Sequence, residues 1–404
     1  MNVVLSYGLG VDSTALLLRW LEEPDSRDFD LDQLLVATAM TGDEWPRTGE
    51  LVEEHILPRL REAGLFFAQV ARRGPSNTEG AAVLEANDAP QDLHIEGAYT
   101  LKEELTAAGT VPQTAGKRLC SLKFKGWPID TYLRNHAPQA TRHAFGYEKT
   151  ELARAERCAN HMRGRLVFGY EKSEHLRARK AQKFDEPRRL AEFPLIEWGW
   201  DRHDCQRYIH EVTGVPDWPK SACVYCPFAL TSIAGRERTL QRYDTSPESA
   251  VETLLLEWRA LCLNSRAGLI AGNRFMSLIG ERRPEIATIF QERLASEPHA
   301  LYRVRRLWRP QRKDPEKVAN ASRDLQVLAT GTRASCRERL TEQGPLDAGD
   351  GIERVFRLRR GADLPAREHF FVAGPAGARS KALPSFDSWW SAADDPPAAV
   401  ERRP

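Results

Sequence analysis

The chain begins with two short apolar runs, each followed by a polar turn that contains glycine. Val3 to Leu5 lead through such a turn into the apolar helical stretch Ala15 to Leu18, and a second run covers Leu34 to Met40. Short apolar runs bounded by turn signals are typical of buried strands, and their alternation with helices indicates a parallel sheet. The pattern predicts an α/β fold, a doubly wound and mostly parallel sheet whose ligands bind at the carboxyl ends of the strands.

The turn after the first run is the most informative segment. It reads Ser6-Tyr7-Gly8-Leu9-Gly10-Val11-Asp12-Ser13-Thr14. Glycine lets backbone amides approach an anion, and the start of a helix presents unpaired N–H groups and a positive dipole end. These properties favour a phosphate site, although glycines at such a corner also serve simply to turn the chain. The spacing matches neither a Walker loop nor a Gly-x-Gly-x-x-Gly fingerprint.

This loop resembles the Ser-Gly-Gly-x-Asp-Ser loop of the PP-loop ATP pyrophosphatases and of their relatives, the phosphoadenosine phosphosulfate (PAPS) reductases. Gly8 stands in place of the loop serine and Leu9 in place of the first glycine. Further segments similar to family motifs follow in the family's order: Thr41 to Thr48, Arg118 to Pro128, Phe193 to Trp198 and Lys220 to Phe228. Together they span about residues 1 to 228. The resemblance implies a Rossmann-like PP-loop domain.

The resemblance also implies which residues form the site. Nucleotide contacts are expected from Ser6, Tyr7, Gly8, Gly10, Asp12, Ser13, Thr14, Thr41, Gly42 and Glu44. Catalysis is expected to depend on Asp12, Ser13, Lys123, Lys125 and Arg118. The amides and hydroxyls of the loop would stabilise a leaving pyrophosphate, and the basic side chains would neutralise the transferring group.

A short internal repeat lies between the motifs. Phe145 to Arg154 is repeated as Phe168 to Arg177, and both copies are similar to the family's Gly-x-x-x-x-Glu-x-x-Arg segment. The second copy, with Gly169, Glu174 and Arg177, is the favoured nucleotide-binding copy because it leads directly to Phe193. The first copy offers Glu151 and Arg154. Two plain strand-to-helix corners would produce the same pattern.

Seven cysteines include the pair Cys223-x-x-Cys226. Two thiolates at this spacing can bind one metal ion or cluster. The resemblance adds Cys120 as a third ligand, while Cys205 is either a fourth ligand or a core residue. A [4Fe–4S] cluster, a Zn2+ ion and uncoordinated thiols stay open as alternatives. A cluster with three cysteine ligands would leave one iron open for a sulfur atom.

The remainder of the chain has a different character. Arginine-rich helical patterns follow residue 228, so the sequence predicts a PP-loop domain at 1–228, a mainly helical region at 229–320 and a small region with a loosely ordered tail at 321–404. In the segment 299–313, basic residues interleave with aromatic ones. Such a segment is typical of a nucleic-acid groove, or else of an amphipathic strand or helix with a solvated face.

Composition bears on the partners and the cellular location to expect. The 58 basic and 57 acidic residues balance, so no global field attracts the protein to nucleic acid or membranes. The sequence shows neither an export signal nor a run of 18 apolar residues. We expect a cytoplasmic protein without a membrane partner.

The resemblance implies ATP-dependent adenylation with release of pyrophosphate, with Mg2+ bridging the phosphates. Sulfur transfer to a nucleic acid would follow, supplied by a donor protein such as a cysteine desulfurase. The first alternative is reduction of PAPS or adenosine phosphosulfate (APS) by a cysteine thiolate. However, the expected Glu-Cys-Gly segment is absent and no cysteine follows Cys336. The second alternative is a catalytically silent subunit that binds nucleotide or nucleic acid.

Overall fold

The computed structural model of the protein describes residues 1–114, 119–162, 190–311, 314 and 317–393, without the side chains of 160–162. The chain divides into two compact units. Unit 1 comprises Met1–Leu101 and Lys117–Val224, and unit 2 comprises Lys102–Gly116 and Tyr225–Pro404. The second unit therefore begins four residues before the boundary expected at residue 228, and it includes a segment from within the first 228 residues.

Unit 1 contains a six-stranded sheet in the order β4-β3-β2-β1-β5-β6. All neighbouring strands are parallel except β3 and β4, which are antiparallel. This confirms an α/β fold with a mostly parallel sheet. Its strands are β1 (Val3–Ser6), β2 (Leu34–Met40), β3 (Phe66–Arg72), β4 (Ala81–Asn87), β5 (Arg142–Phe145) and β6 (Leu190–Glu192).

The helices follow the apolar stripes of the sequence, and several begin at a proline, whose missing N–H costs nothing in the first turn. They are α1 (Val11–Glu22), α2 (Pro46–His55), α3 (Leu57–Glu62), α4 (Leu101–Ala108), α5 (Leu119–Ser121), α6 (Trp127–His136), α7 (Leu152–Met162), α8 (Pro194–Glu197), α9 (Arg202–Thr213), α10 (Ile233–Thr245), α11 (Pro247–Leu263), α12 (Phe275–Arg282), α13 (Pro284–Ser296), α14 (Arg333–Thr341) and α15 (Phe386–Ala392). Among the described helices, none has the length and apolar character needed to cross a bilayer.

Helices cover both faces of the six-stranded sheet. Because successive strand residues point to opposite faces, Leu5 and Val36 pack with α1 and α9, whereas Val4 and Leu35 pack with α6. Both layers are almost completely buried. The central strands therefore appear in the sequence as continuous apolar runs, as expected for a parallel sheet.

Unit 2 contains helices and also a four-stranded antiparallel sheet that the sequence pattern did not predict. The strand order is β8-β7-β10-β9, with β7 at His299–Trp308, β8 at Ser322–Gly331, β9 at Arg354–Leu358 and β10 at Ala366–Pro375. One face of this sheet packs through Tyr302, Val304 and Phe370 onto α11. The region 229–320 contains helices α10 to α13 and, near its end, strand β7, whereas the other three strands lie within 321–404.

Two buried arginines close the carboxyl end of α11. Arg354 donates to the carbonyls of Leu261 at 2.6 Å and Cys262 at 3.3 Å, and Arg306 donates to Leu263 and to Asn264. The last carbonyls of a helix lack intrahelical donors and carry the negative end of its dipole. The two cations therefore join α11 to the sheet.

Candidate functional site

The direction of the chain through the sheet of unit 1 reverses at β1. From β1 the strands continue through β2 to β3 on one side, and then return to β5 and β6 on the other side. The loops after β1 and β5 leave in opposite directions, and ligands of open α/β sheets bind at such a point. Gly146, directly after β5, lies so close to α1 that a Cβ atom would be 2.8 Å from the Cα of Ser13. The glycine therefore lets the two loops meet.

The loop after β1 is fixed by backbone contacts. Ser13 Oγ accepts from the Gly8 N–H at 3.1 Å and donates to the Gly10 carbonyl at 3.2 Å. The Val11 N–H donates to the Pro219 carbonyl at 3.2 Å. A Cβ atom on Gly10 would lie 2.7 Å from the Ser221 backbone nitrogen. The loop is thus closely packed on the segment that precedes Cys223.

Leu9 occupies the position where the PP-loop family has a glycine. Its φ of +64° lies in the left-handed region, which glycine adopts without strain. This conformation costs a leucine roughly 1–2 kcal/mol. The side chain is 4% exposed and belongs to the core of unit 1, so its burial, worth about 1.5–3 kcal/mol, offsets that strain. The backbone shape of a glycine is kept although the residue differs.

Three of the expected nucleotide contacts have side chains with structural partners. Ser6 Oγ hydrogen-bonds His143 Nε2 at 2.8 Å. Tyr7 and Thr14 are buried, and their hydroxyls hydrogen-bond each other at 3.2 Å. Burial raises the pKa of Tyr7 above its usual range. These three side chains bond to groups of the protein itself. At these positions the backbone, and not the side chain, is therefore what could contact a ligand.

Opposite charges cluster at the start of α1. Arg202 of α9 donates two hydrogen bonds to the Asp12 carboxylate, at 2.8 and 3.1 Å. Burial raises the pKa of Asp12, and the bonds from Arg202 oppose this effect. Burial also lowers the pKa of Lys220, with the charge of Arg202 acting in the same direction. Neither Arg202 nor Lys220 is among the site residues expected from the sequence motifs.

The first copy of the internal repeat lies at this cluster. Arg154 donates to Glu151 at 2.7 Å, and its guanidinium lies 4.3 Å from the centroid of the Tyr147 ring. The charge of Glu151 acts on both Asp12 and Lys220. Gly169, Glu174 and Arg177, from the favoured second copy, lie outside the described residues. Arg118 lies outside them as well.

The segment after β2 joins the same end of the sheet. The Glu44 carboxylate accepts from the hydroxyl of Ser221 and from the Ala222 N–H at 3.0 Å. Ser221 in turn lies 3.5 Å from Lys125 Nζ. Gly42 has a φ of +82°, and Thr100 occupies the space that a Cβ atom would need. The segments Thr41 to Thr48 and Lys220 to Cys223 are therefore adjacent.

Lys123 and Lys125 lie on a π-helical turn, Leu122–Gly126, between α5 and α6. Such turns are rare in proteins as a whole, but those that occur are frequently found at functional sites. Arg72 is completely buried beneath the turn and donates to the Lys123 carbonyl at 3.3 Å. Its guanidinium also lies 4.8 Å from the Trp127 ring centroid. A buried cation held by carbonyls and rings fixes the two lysines at the strand ends.

The cysteines have different surroundings. Cys205 is completely buried in the hydrophobic core of unit 1, which is the environment of a core residue. Cys223 Sγ lies 3.4 Å from Thr41 Oγ1, and burial raises its pKa while the charge of Lys125 opposes the shift. Cys120 is partly exposed in unit 1, and Cys226 belongs to unit 2.

Within the described ranges, ligand atoms of three or more His, Cys, Asp or Glu side chains approach one another within 4.8 Å only at Asp201, His203 and Asp204. Asp201 is the N-cap of α9 and accepts from the N–H groups of His203 and Asp204. Lys149 Nζ lies 3.0 Å from its other oxygen. The cluster is therefore accounted for as a helix cap with its ion pair.

The basic and aromatic segment at 299–313 forms strand β7 up to Trp308, and residues 312 and 313 lie outside the described part. Arg303 and Arg305 both pair with Asp324, at 3.4 and 2.7 Å. Arg306 is buried at the end of α11. Arg303, Arg305 and Arg306, which contribute to the basic pattern of this segment, therefore have partners within unit 2.

Cys336, the cysteine nearest the carboxyl end, is 1% exposed in α14. The polar segment around it indicated an exposed position, but the thiol side of the helix faces inward. Burial also raises its pKa. A thiolate nucleophile requires access and a depressed pKa.

Comparisons of the chain with protein-family models, curated proteins and solved structures find no match.

Proposed function

We propose that unit 1 is a Rossmann-like PP-loop domain that binds ATP at the loop after β1 and adenylates an acceptor with release of pyrophosphate. The observation that carries the proposal is the close packing of three glycine-containing segments at the reversal point of the sheet. Gly10, Gly42 and Gly146 each stand where a Cβ atom would collide. Gly10 and Gly146 thereby bring backbone close to the start of α1, where backbone N–H groups favour an anion.

The chemistry follows from the groups around this loop. An acceptor oxygen attacks the α-phosphorus, the bond to the bridging oxygen of the β-phosphate breaks, and pyrophosphate leaves with the electron pair. Amides in the first turn of α1 and the positive dipole end stabilise the leaving group. Lys125, Lys220 and Arg202 supply positive charge at the same strand ends. Mg2+ would enter with the nucleotide and neutralise its phosphates.

Arg202 has a particular role in this proposal. In the structure it neutralises Asp12, which is partly buried in the first turn of α1. A bidentate guanidinium binds phosphate as well as carboxylate. Exchange of Asp12 for a phosphate oxygen would therefore let Arg202 move to the nucleotide and leave Asp12 available to the metal ion that accompanies it.

The test measures pyrophosphate and AMP formed from MgATP in the presence of RNA, DNA and small-molecule acceptors. Arg202→Ala should lower the rate at least tenfold, while Arg207→Ala serves as a matched control because Arg207 lies on the same helix with its side chain exposed. Products of ADP and phosphate, or equal rates in the two variants, would contradict the proposal.

We further propose, from the sequence resemblance, that the activated acceptor receives sulfur and is a nucleic acid, and that Cys120, Cys223 and Cys226 bind a metal ion or cluster. Cys205 is left out of the ligand set because it lies in the core. Metal analysis after anaerobic purification tests this part. Cys223→Ala should lose the bound iron or zinc, and Cys205→Ala should keep it. Equal metal content in Cys223→Ala and the wild type would remove the site.

A further inference from the structure

One face of the sheet in unit 2 concentrates positive charge. Residues that point to this face alternate along β7 and β10, and the register pairs Arg305 with His369 and Arg303 with Phe371. One carboxylate of the sheet, Asp324, is shared by Arg303 and Arg305, the two arginines of β7 on this face. The basic side chains of the face are Arg303, Arg305, Arg357, Arg367 and His369.

Arg357 belongs to this face by the alternation of strand residues. It lies two residues after Val355, which pairs with Phe371 of β10. Its guanidinium lies 5.7 Å from the Phe371 ring centroid, on the same face as His369. The pairing of β9 with β10 shifts register between His369 and Phe370, next to Arg357. Arg357 is exposed.

Two polar atoms of the face lack hydrogen-bond partners. Within the described part of the chain, Arg303 Nε and His369 Nε2 are both buried and unpaired. Burial, together with the charges of Arg303, Arg305 and Arg357, lowers the pKa of His369 to about 4, so the imidazole is neutral at pH 7. Buried polar atoms are nearly always paired in native proteins, and unpaired ones require a reason.

Helix α15 covers the face with an acid and two aromatic rings. The Asp387 carboxylate pairs with Arg305 at 2.6 Å. The Trp390 ring lies 5.4 Å from the guanidinium of Arg305 and 5.2 Å from that of Arg367. The contact between the Asp387 carboxylate and Arg305 resembles the contact of a phosphate with arginine. The contacts of the Trp390 ring with arginines resemble those of a nucleic-acid base, so α15 presents the two kinds of group that a single-stranded polynucleotide presents to a basic surface.

We propose that this face of β7, β9 and β10 is a binding site for single-stranded polynucleotide, and that α15 occupies it in the absence of the ligand. The face is about 10 Å across, since its three adjacent strands lie ~4.8 Å apart. Displacement of α15 removes Asp387 from Arg305, so that Arg303 and Arg305 share Asp324. Phosphates would then bind Arg357 and Arg303, and bases would stack on the guanidinium groups of Arg305 and Arg367 in place of Trp390. The site goes beyond the proposed nucleotide chemistry and requires no ATP.

Fluorescence anisotropy with labelled 20-mers of deoxythymidine and uridine tests the site in the full chain without nucleotide, and the two oligomers distinguish DNA from RNA. Asp387→Ala, and Asp387→Ala combined with Trp390→Ala, should bind about two- and fivefold more tightly than the wild type. Arg357→Ala should bind about fivefold more weakly. It should also lower the steepness of the salt dependence by about 0.7, the contribution of one phosphate on a single strand.

Arg293→Ala is the matched control, because Arg293 is an exposed arginine on α13 that pairs with Glu297 outside the sheet. The site is overturned if Arg357→Ala and Arg293→Ala bind equally, or if loosening α15 leaves the affinity unchanged. Asp387 is exposed, so its single variant keeps the test valid if the double variant misfolds. Equal binding of heparin would assign the face to polyanions in general, and equal binding of a duplex would exclude the single-strand assignment.

Discussion

The two sheets of this protein present charge in opposite ways. In unit 1, the parallel sheet is buried on both faces, so the polar groups collect in loops at the strand ends, where glycine brings backbone close to backbone. In unit 2, the antiparallel sheet carries arginines on the strands themselves, each held by a carboxylate, a carbonyl or an aromatic ring. The first arrangement depends on space for backbone, and the second depends on partners for side chains.

The largest effect is expected from filling the space at the loop of unit 1. Gly10→Ala places a Cβ atom 2.7 Å from the Ser221 backbone nitrogen, and backbone cannot rotate away as a side chain can. We expect ATP binding and pyrophosphate release to fall more than 100-fold, which isothermal titration and a coupled assay would measure. Gly280→Ala in α12 is the control, because nothing lies near its added methyl group. Near-normal activity of Gly10→Ala would show that close packing at the loop is dispensable.

Removing a partner in unit 2 tests the other half of the comparison. Arg354→Ala removes the donor of the Leu261 and Cys262 carbonyls in the last turn of α11 and the 2.6 Å ion pair of Asp350. A loss of about 2–4 kcal/mol of stability is expected for such a buried network. Hydrogen exchange in peptides from β7 and β10 would report it, with Arg293→Ala as the exposed control. Unchanged exchange would mean that the sheet does not depend on this cation.

The two regions also differ in how much of their structure can be predicted from the sequence. Strands β1 and β2 were predictable because buried parallel strands are continuous apolar runs, and the loop after β1 followed from its glycines. Arg202 was not predictable as a site residue, since its partner Asp12 is 190 residues away in the chain. Nor was the π-helical turn under Lys123 and Lys125, which depends on Arg72 from a distant strand.

The sheet of unit 2 was missed for a related reason. In β7 the alternation of apolar and basic residues was visible, but a strand and a helix with a solvated face fitted it equally. Arg306 is a charged residue, yet its side chain is buried, because the carboxyl end of α11 supplies acceptors for its guanidinium. Helix α15 lies in the region expected to be a loosely ordered tail, and its rings are held by arginines of other strands. Long-range partners decided each of these positions.

A smaller effect concerns the pH dependence of unit 2. The pKa of His369 is lowered to about 4, so between pH 6.5 and 4 the unfolded chain binds a proton that the folded chain does not. The contribution of this histidine to stability is therefore complete above pH 6.5 and is lost as the pH falls toward 4. The side chain is only half-buried, so solvent screening limits the change to about 1 kcal/mol.

The variant His369→Gln keeps a polar side chain and removes the titration. Its melting temperature should fall less than that of the wild type between pH 7.5 and pH 5, while the charges that face the position, Arg303, Arg305, Arg357 and Asp324, stay in place. Identical pH profiles for the two proteins would show that His369 titrates normally. That result would contradict the inference that the arginine charges of this face lower the pKa of His369.

The smallest effect on activity is expected at Cys336, where burial separates the two enzyme alternatives. Cys336→Ser puts a hydroxyl into a buried position and should cost about 1–2 kcal/mol of stability, which urea unfolding would measure. Turnover per folded molecule should be unchanged, because a thiol that is 1% exposed cannot attack a sulfonucleotide. If the protein instead reduces PAPS or APS, thiol-dependent sulfite release will occur without ATP and a cysteine substitution will abolish it. Sulfite formation without ATP that is lost in Cys336→Ser would replace adenylation with reduction, and would require α14 to open.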